Sequence, residues 1–419
     1  MKNRLLKILL AIGFCLISCA GLSACGGGKK AVYQKNHDGK TCTITSFGEY
    51  NGDEIYIPEE IDGLTVTAVG TGSSVFSIGS TVRKIVIPDS VITIGAFAFT
   101  ECGYLESVKI GNGVITIGDY AFSRCADLQN VYMGNSITEI GRGTFEGCGL
   151  ESIVLEDTIT SIGSGAFQYC NRLKNVKLPY GLTTIENSVF ASCERLASIE
   201  IPDTVTTIES AAFANCVELT NVMLGANVKN IETAAFDGCY RLVEVASKSS
   251  QIRLKKGSND NGYIGYYALA VYNTTDAYVG SKLSEDNGYI VYTDGKEKLL
   301  IGYVGEATDL VLPAYITKMN RYALFCCSWL KSVVVSDGVT SVGERAFWAC
   351  FKLEKLVIPN SVVSIGDGVF FSCTALEDIK FNGTVAQWRN QITKGKGWSD
   401  DVPAKEIVCS DGAVSLKGV

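Results

Sequence analysis

The apolar positions of this chain recur every 23 residues. Phe stands at 76, 99, 122, 145, 167, 190, 213 and 236, in steps of 23 with a single step of 22. Leu324, Phe347 and Phe370 resume the series. Cys follows three residues later at 102, 125, 148, 170, 193, 216, 239, 327, 350 and 373, and Leu comes next in each copy. The short step has a visible cause: Cys148-Gly149-Leu150 has one residue where its siblings have two. The unit reads A-F-x-x-C-x-x-L-x-x-I-x-I-P-x-x-V-T-x-I-G. Its I-x-I alternation predicts a half-buried strand. Pro at 58, 88, 179, 202, 313 and 359 ends that strand and forces a turn. Gly at 95, 118, 141, 163, 343 and 366 marks a second turn. The A-F segment predicts a short helical or 3₁₀ turn. A unit this short cannot bury its own apolar face, so the copies must stack into a solenoid with a continuous core. At about 4.8 Å per coil, a dozen coils make a rod on the order of 55–60 Å long.

The period fails between Val245 and Leu310. That interval holds Tyr263, Tyr266, Tyr267, Tyr272, Tyr278, Tyr289, Tyr292 and Tyr303, and it repeats Asp-Asn-Gly-Tyr-Ile at 260–264 and 286–290. The runs 289–292 and 299–301 flank Asp294-Gly295, a hairpin signal. A small β-rich elaboration packed on the rod is expected. Its tyrosines could stack on sugars or anchor an interface. They equally suit strands packed on the rod. Trp388 and Trp398, with Gly395 and Gly397, lie beyond the last clear repeat and are placed to close the exposed coil end.

Composition narrows the chemistry. The 419 residues are 47% hydrophobic and 19% charged, which excludes disorder. A net charge of −7 is a poor match for phosphate backbones, so no nucleic-acid partner is expected. The single His, His37, argues against His-based catalysis and multi-His metal sites, so no cofactor or metal is expected. Residues 1–24 carry Lys2, Arg4 and Lys7, then an apolar run too short to span a bilayer comfortably, and read as a secretory signal. Leu22-Ser23-Ala24-Cys25-Gly26 resembles a bacterial lipobox, with Cys25 the lipidated first residue of the mature chain. Two acyl chains would anchor it stably to a membrane. Loss of the signal would bring the net charge to −10. Residues 25–40 then read as the lipidated Cys and a flexible tether containing His37.

The in-phase copies resemble the BspA-like class of leucine-rich-repeat surface proteins of bacteria, over roughly residues 50–245 and 308–385. The resemblance implies a right-handed, curved leucine-rich-repeat rod, with a strand and short helical or 3₁₀ turns per coil. It also implies export and adhesive or partner-binding roles, and brings no catalytic residues. The expected organisation is a signal peptide (1–24), tether (25–40), cap and solenoid (41–245), β-rich insertion (246–307), continued solenoid (308–385) and C-terminal cap (386–419).

The ten repeated Cys form one column. They could be disulfides, metal ligands or core thiols; a ladder with one Cys per coil lacks the paired spacing of zinc sites. Thirteen Cys remain after Cys15, Cys19 and lipidated Cys25 are set aside, an odd number. Buried thiols are the expected state. The exposed x of I-x-I reads Val86, Lys109, Tyr132, Val154, Lys177, Glu200, Met223, Val311, Val334, Val357 and Lys380. This column is apolar for a solvent face, and strand preference alone also favours β-branched residues there. The candidate partner-binding residues are Lys109, Tyr132, Lys177, Glu200 and Met223, on a concave sheet. The expected protein is a lipid-anchored, non-catalytic, monomeric surface module that binds a protein or glycan on a host or neighbouring cell. A surface polysaccharide-acting enzyme using Glu285, Asp286 or Asp294, and a passive structural component, are the alternatives.

Overall fold

The structure, a computed structural model, describes residues 31–416 apart from 49, 51, 77–79, 274–277 and 279. The signal segment, the lipobox and Cys25 lie outside the described residues. The chain is a β-solenoid of about 14 turns. Each regular coil gives one short strand to each of two faces, and the parallel pairing along each face is interrupted, so that the described residues form seven sheets. The I-x-I segments build the first, as in Lys84–Val86, Ser107–Lys109 and Asn130–Tyr132. The T-x-I ends build the second, as in Thr93–Ile94, Thr116–Ile117 and Glu139–Ile140. Pro turns the chain between them. The carbonyl of Pro88 accepts from Val91 N–H at 3.2 Å, and Pro202 from Val205 at 3.1 Å. Close coil spacing explains the Gly of the second turn: a Cβ at Gly118 would lie 2.6 Å from Ala96 N.

The A-F segment is a run of tight turns, not the expected helical or 3₁₀ turn. Phe97 and Glu101 both have positive φ, as do Tyr120 and Arg124, so no helical turn can propagate. Alternate N–H groups close local turns or reach the next coil: Ala98 donates to Gly95 O, whereas Phe97 and Glu101 donate to Asp119 O and Ser123 O. This gives the solenoid a third inter-coil ladder without a third row of strands, and it satisfies a buried backbone.

The anchoring aromatics stack inside. From Phe99 to Phe236 successive ring centroids lie 5.1–5.5 Å apart, every pair stacked. Each such contact adds about 0.5–1.5 kcal/mol beyond burial. The Cys column runs beside them. Each thiol from Cys125 to Cys239 donates to the carbonyl of the aromatic one coil back; Cys193 Sγ lies 3.2 Å from Phe167 O. The ten column Cys are buried, and no disulfide joins any Cys among the described residues. Burial pushes the thiols of Cys170 and Cys216 up to about 12, so they are poor nucleophiles.

The ends and the interruption depart from expectation. The tether stops earlier than residue 40. Val32–Lys35 pairs antiparallel with Thr41–Ser46, and Tyr33 packs against the core, so this hairpin covers the first coil. His37 lies exposed in its turn. The core is also not continuous. One cluster runs from Cys42 to Ala268 and a second from Tyr289 to Val414. Between them lies a small third cluster of Val243, Tyr292 and Ile301.

The segment expected to be one insertion divides between these bodies. Its first part makes one more coil of the first arm: Ala270–Tyr272 pairs with Glu244–Ser247, and Phe236 N–H donates to Gly262 O. Its second part is a meander of Leu283–Asp286, Tyr289–Asp294 and Glu297–Tyr303, which pairs with Lys318–Met319 and begins the second arm. The hairpin read at Asp294-Gly295 is present. The twin Asn-Gly pairs share left-handed φ values but serve different ends: Asn261-Gly262 completes a coil, while Asn287-Gly288 closes a two-residue hairpin turn. Tyr267, Tyr289, Tyr292 and Tyr303 are buried, so packing absorbs half of this tyrosine cluster.

Two buried charges join the arms. Arg241 Nη1 lies 3.8 Å from Glu218, and its Nη2 donates to Phe325 O at 3.4 Å. Glu244, fully buried, accepts from Lys282 N–H at 2.8 Å, from Asn221 at 3.1 Å and from the Ser281 hydroxyl. At the far end, helix Val385–Asn390 carries Trp388 onto Phe381 and Trp398, and both Trp are buried. A Thr384–Gln387 capping box starts this helix.

Candidate binding face

Strand alternation turns the I-x-I flanks inward and the central residue outward. Parallel register then brings these central residues side by side. Tyr56, Val86, Lys109 and Tyr132 form one row, and Val154 pairs with Lys177. Glu200, Met223, Ala246 and Tyr272 form another. Val311, Val334, Val357, Lys380 and Val408 continue on the second arm. Tyr56 and Val408 were legible in Ile55-Tyr56-Ile57-Pro58 and Ile407-Val408-Cys409. Tyr272 was not, because its strand lacks the repeat's flanks.

The face is exposed and apolar in places. Tyr132 is 59%, Val154 71% and Val311 68% exposed. The five predicted residues share the face but do not converge on one point. Lys109 and Tyr132 line a shallow depression of about 260 Å³ with Lys84, Ile85, Ser107 and Asn130. Lys177 is drawn sideways, 3.7 Å from Asp157 and 5.0 Å over the Tyr180 ring. Glu200 lies 3.5 Å from Lys248, beside half-buried Met223. At the depression's edge Tyr56 donates to Glu54 at 2.8 Å, with Lys84 3.2 Å away; these bonds lower the Glu54 carboxyl.

The insertion carboxylates are arranged differently. Asp286 accepts from Tyr315 at 2.7 Å at one end of the meander, and Asp294 pairs with Lys282 at the other. Asp286 faces Tyr289, the first residue of the strand that Asp294 ends. Five residues of strand separate them by roughly 15 Å. Glycosidase carboxylates lie about 5–9.5 Å apart. Among the described residues no group of three His, Cys, Asp or Glu is arranged to hold a metal.

The repeat is recognised at family level. The profile of the BspA-type leucine-rich-repeat region matches residues 69–149, 138–264 and 303–395, with six copies. The chain belongs to this family. The BspA-type match spans both arms, so the interruption divides one repeat array. No curated protein matches the chain. Among solved structures, a leucine-rich repeat protein from Bacteroides ovatus is 23% identical over 87% of this chain and 89% of its own, with a TM-score of 0.45. A leucine-rich cell surface protein from Faecalibacterium prausnitzii is 24% identical over 90% and 99%, with a TM-score of 0.41. A T. pallidum leucine-rich repeat protein is 28% identical over 45% and 87%, with a TM-score of 0.40.

Proposed function

We propose that this BspA-type protein is an exported, non-catalytic surface module that binds a macromolecular partner through its strand face. The carrying observation is the exposed apolar side chains there. Tyr132 and Val154 stand in solvent on strands whose inner residues already complete the core. Exposed apolar side chains set among Lys and Glu on one strand face favour an interaction surface. The depression at Lys109 and Tyr132 offers a first anchor, and Lys177, Glu200 and Met223 continue the contact along the rod. Leu22-Ser23-Ala24-Cys25 supports attachment to the outer face of a bacterial membrane through lipid on Cys25.

The test is binding of the full chain to immobilised matrix proteins and mucins. Tyr132→Ala with Met223→Ala should weaken capture about tenfold or more, as loss of interface anchors does. Undiminished capture by that variant would refute the strand face. Cys25→Ala should abolish labelling by a radioactive fatty acid and release the protein from the envelope. Turnover on a glycan panel, lost in Asp286→Asn, would instead favour the enzyme.

A further inference from the structure

The exposed strand column of the first arm is self-complementary. Five successive coils carry Lys109, Tyr132, Val154, Lys177 and Glu200 as the outward last residue of their strands. The rings beneath them, Phe99 to Phe190, stack without a break at 5.1–5.5 Å, so these coils follow one another at even spacing. Val154 stands at the centre, and at 71% it is the most exposed large apolar side chain among the described residues. One coil to either side lie Tyr132 and Lys177, an aromatic face and a cation. Two coils to either side lie Lys109 and Glu200, which carry opposite charges. Three coils out lie Val86 and Met223, both apolar and half-buried, each in register with the coil inside it.

A half-turn about an axis along the Val154 strand lays this face on that of a second copy and reverses the order of the coils. Val154 then meets its own equivalent. Each Tyr132 meets a Lys177, each Lys109 a Glu200, and each Val86 a Met223. Every contact off the axis occurs twice, as an isologous interface requires. The neighbouring outward column agrees. It reads Ser107, Asn130, Ser152, Asn175 and Ser198, small and uncharged in five coils, so two copies approach without like charges facing one another. The fold does not impose this neutrality, since the same column of the second arm carries Asp309, Lys355 and Asp378. Within one copy, Lys177 pairs with Asp157 at 3.7 Å and Glu200 with Lys248 at 3.5 Å. Such surface pairs are worth little and are readily exchanged.

We propose that the first-arm strand face pairs two copies of this chain, antiparallel and centred on Val154. The proposal rests on the reading of this face as an interaction surface and names one occupant for it. The first core runs from Cys42 to Ala268, so an axis at Val154 overlaps the two first arms along their length. From Val86 to Met223 the contact spans roughly 30 Å, on a face about 10 Å wide. That is less than a permanent interface buries, so the dimer is weak and reversible. Its two N-terminal hairpins lie at opposite ends of the pair, which suits chains that reach toward each other from facing surfaces.

The test is disulfide trapping of the full chain carrying Val154→Cys, read on a non-reducing gel after mild oxidation. Cys326→Ala is included throughout, because Cys326 is the exposed thiol among the described residues. The axis residue should link copy to copy, whereas Thr160→Cys, exposed on the other strand face, should not. Lys109→Glu should lower the trapped fraction about tenfold or more, because two like-charge contacts replace two opposite ones. Lys109→Glu with Glu200→Lys should restore it, since the swap rebuilds both pairs only between copies. Trapping of Val154→Cys no greater than of Thr160→Cys, or a double swap no better than Lys109→Glu, would overturn the pairing. If matrix capture still fell in Tyr132→Ala with Met223→Ala, that failure would remove the second copy alone and leave the strand face to a foreign partner.

Discussion

The two arms are built from one repeat and differ in what surrounds it. In the first arm the core rings stack nearly parallel, with interplanar angles of 3–16° from Phe99 to Phe236. In the second, Phe347 and Phe370 tilt to 38°, and Trp398 meets Phe370 at 68°. The outer edge, formed by the residue after each anchor, reverses this order. It is polar or small where the core is regular, and aromatic where the core is disturbed. Inside, each ring has a neighbour on both sides, so size and shape are constrained from coil to coil. On the outer edge the aromatics mark the joint: Phe325 and Trp348 lie 5.1 and 6.2 Å from Tyr240, the last anchor-side ring of the first arm. The first arm is therefore the better place to measure repeat energetics, and the second the better place to measure what joining two arms requires.

Alkali should separate the arms most strongly. Six buried column thiols of the first arm, Cys125, Cys148, Cys170, Cys193, Cys216 and Cys239, are raised by burial, against Cys327, Cys350 and Cys373 in the second. A thiol whose folded value is raised stays protonated while the unfolded chain ionises. Its stabilisation is therefore complete below the ordinary value of 9.0 and is lost as pH rises from there toward about 12. Each such thiol lowers stability progressively across that window. Denaturant melts at pH 8 and pH 10.5, read by hydrogen exchange, should show the first arm opening first. Equal loss in both arms would contradict the comparison.

Deleting one ring tests how separate the cores are. Phe213→Ala should cost about 3–5 kcal/mol. Exchange protection should fall across the first arm and hold in the second; an equal fall in both would mean the arms unfold as one unit. A smaller effect is expected at the joint. Glu244→Gln places an amide N–H₂ among donors that now all point at a carboxylate, and should cost about 1–3 kcal/mol. The Lys282 N–H should exchange faster, whereas strand amides far from the joint should not. The smallest effect belongs to the exposed strand column. Val154→Lys and Val311→Lys should each shift stability by no more than about 0.5 kcal/mol. A larger loss in either would show that the face serves folding as well as binding.

The periodicity made the solenoid, its phase, the Cys column and the exposed strand residues legible before any coordinates. Each of these depends on contacts between a residue and its equivalent one coil away, and the repeat writes that contact directly. The tight turns were harder. Phe97, Glu101, Tyr120 and Arg124 hold left-handed φ, and their side chains carry no sign of it, since inter-coil hydrogen bonds enforce the conformation. The hairpin at Val32–Lys35 was hidden because its pairing partner, Thr41–Ser46, lies outside the repeat.

What the sequence by itself determined is therefore the coil. Its length, its buried aromatics and thiols and its outward positions follow from a 23-residue pattern whose partners are always 23 residues apart. Tertiary structure alone decided how the array is divided. Arg241 occupies a position that faces solvent in neighbouring coils, yet it is 4% exposed, because the second arm closes over it at Phe325. The same Asp-Asn-Gly-Tyr-Ile ends one arm and opens the other. Local sequence sets the turn in both places, and the strand available to pair with it sets the outcome.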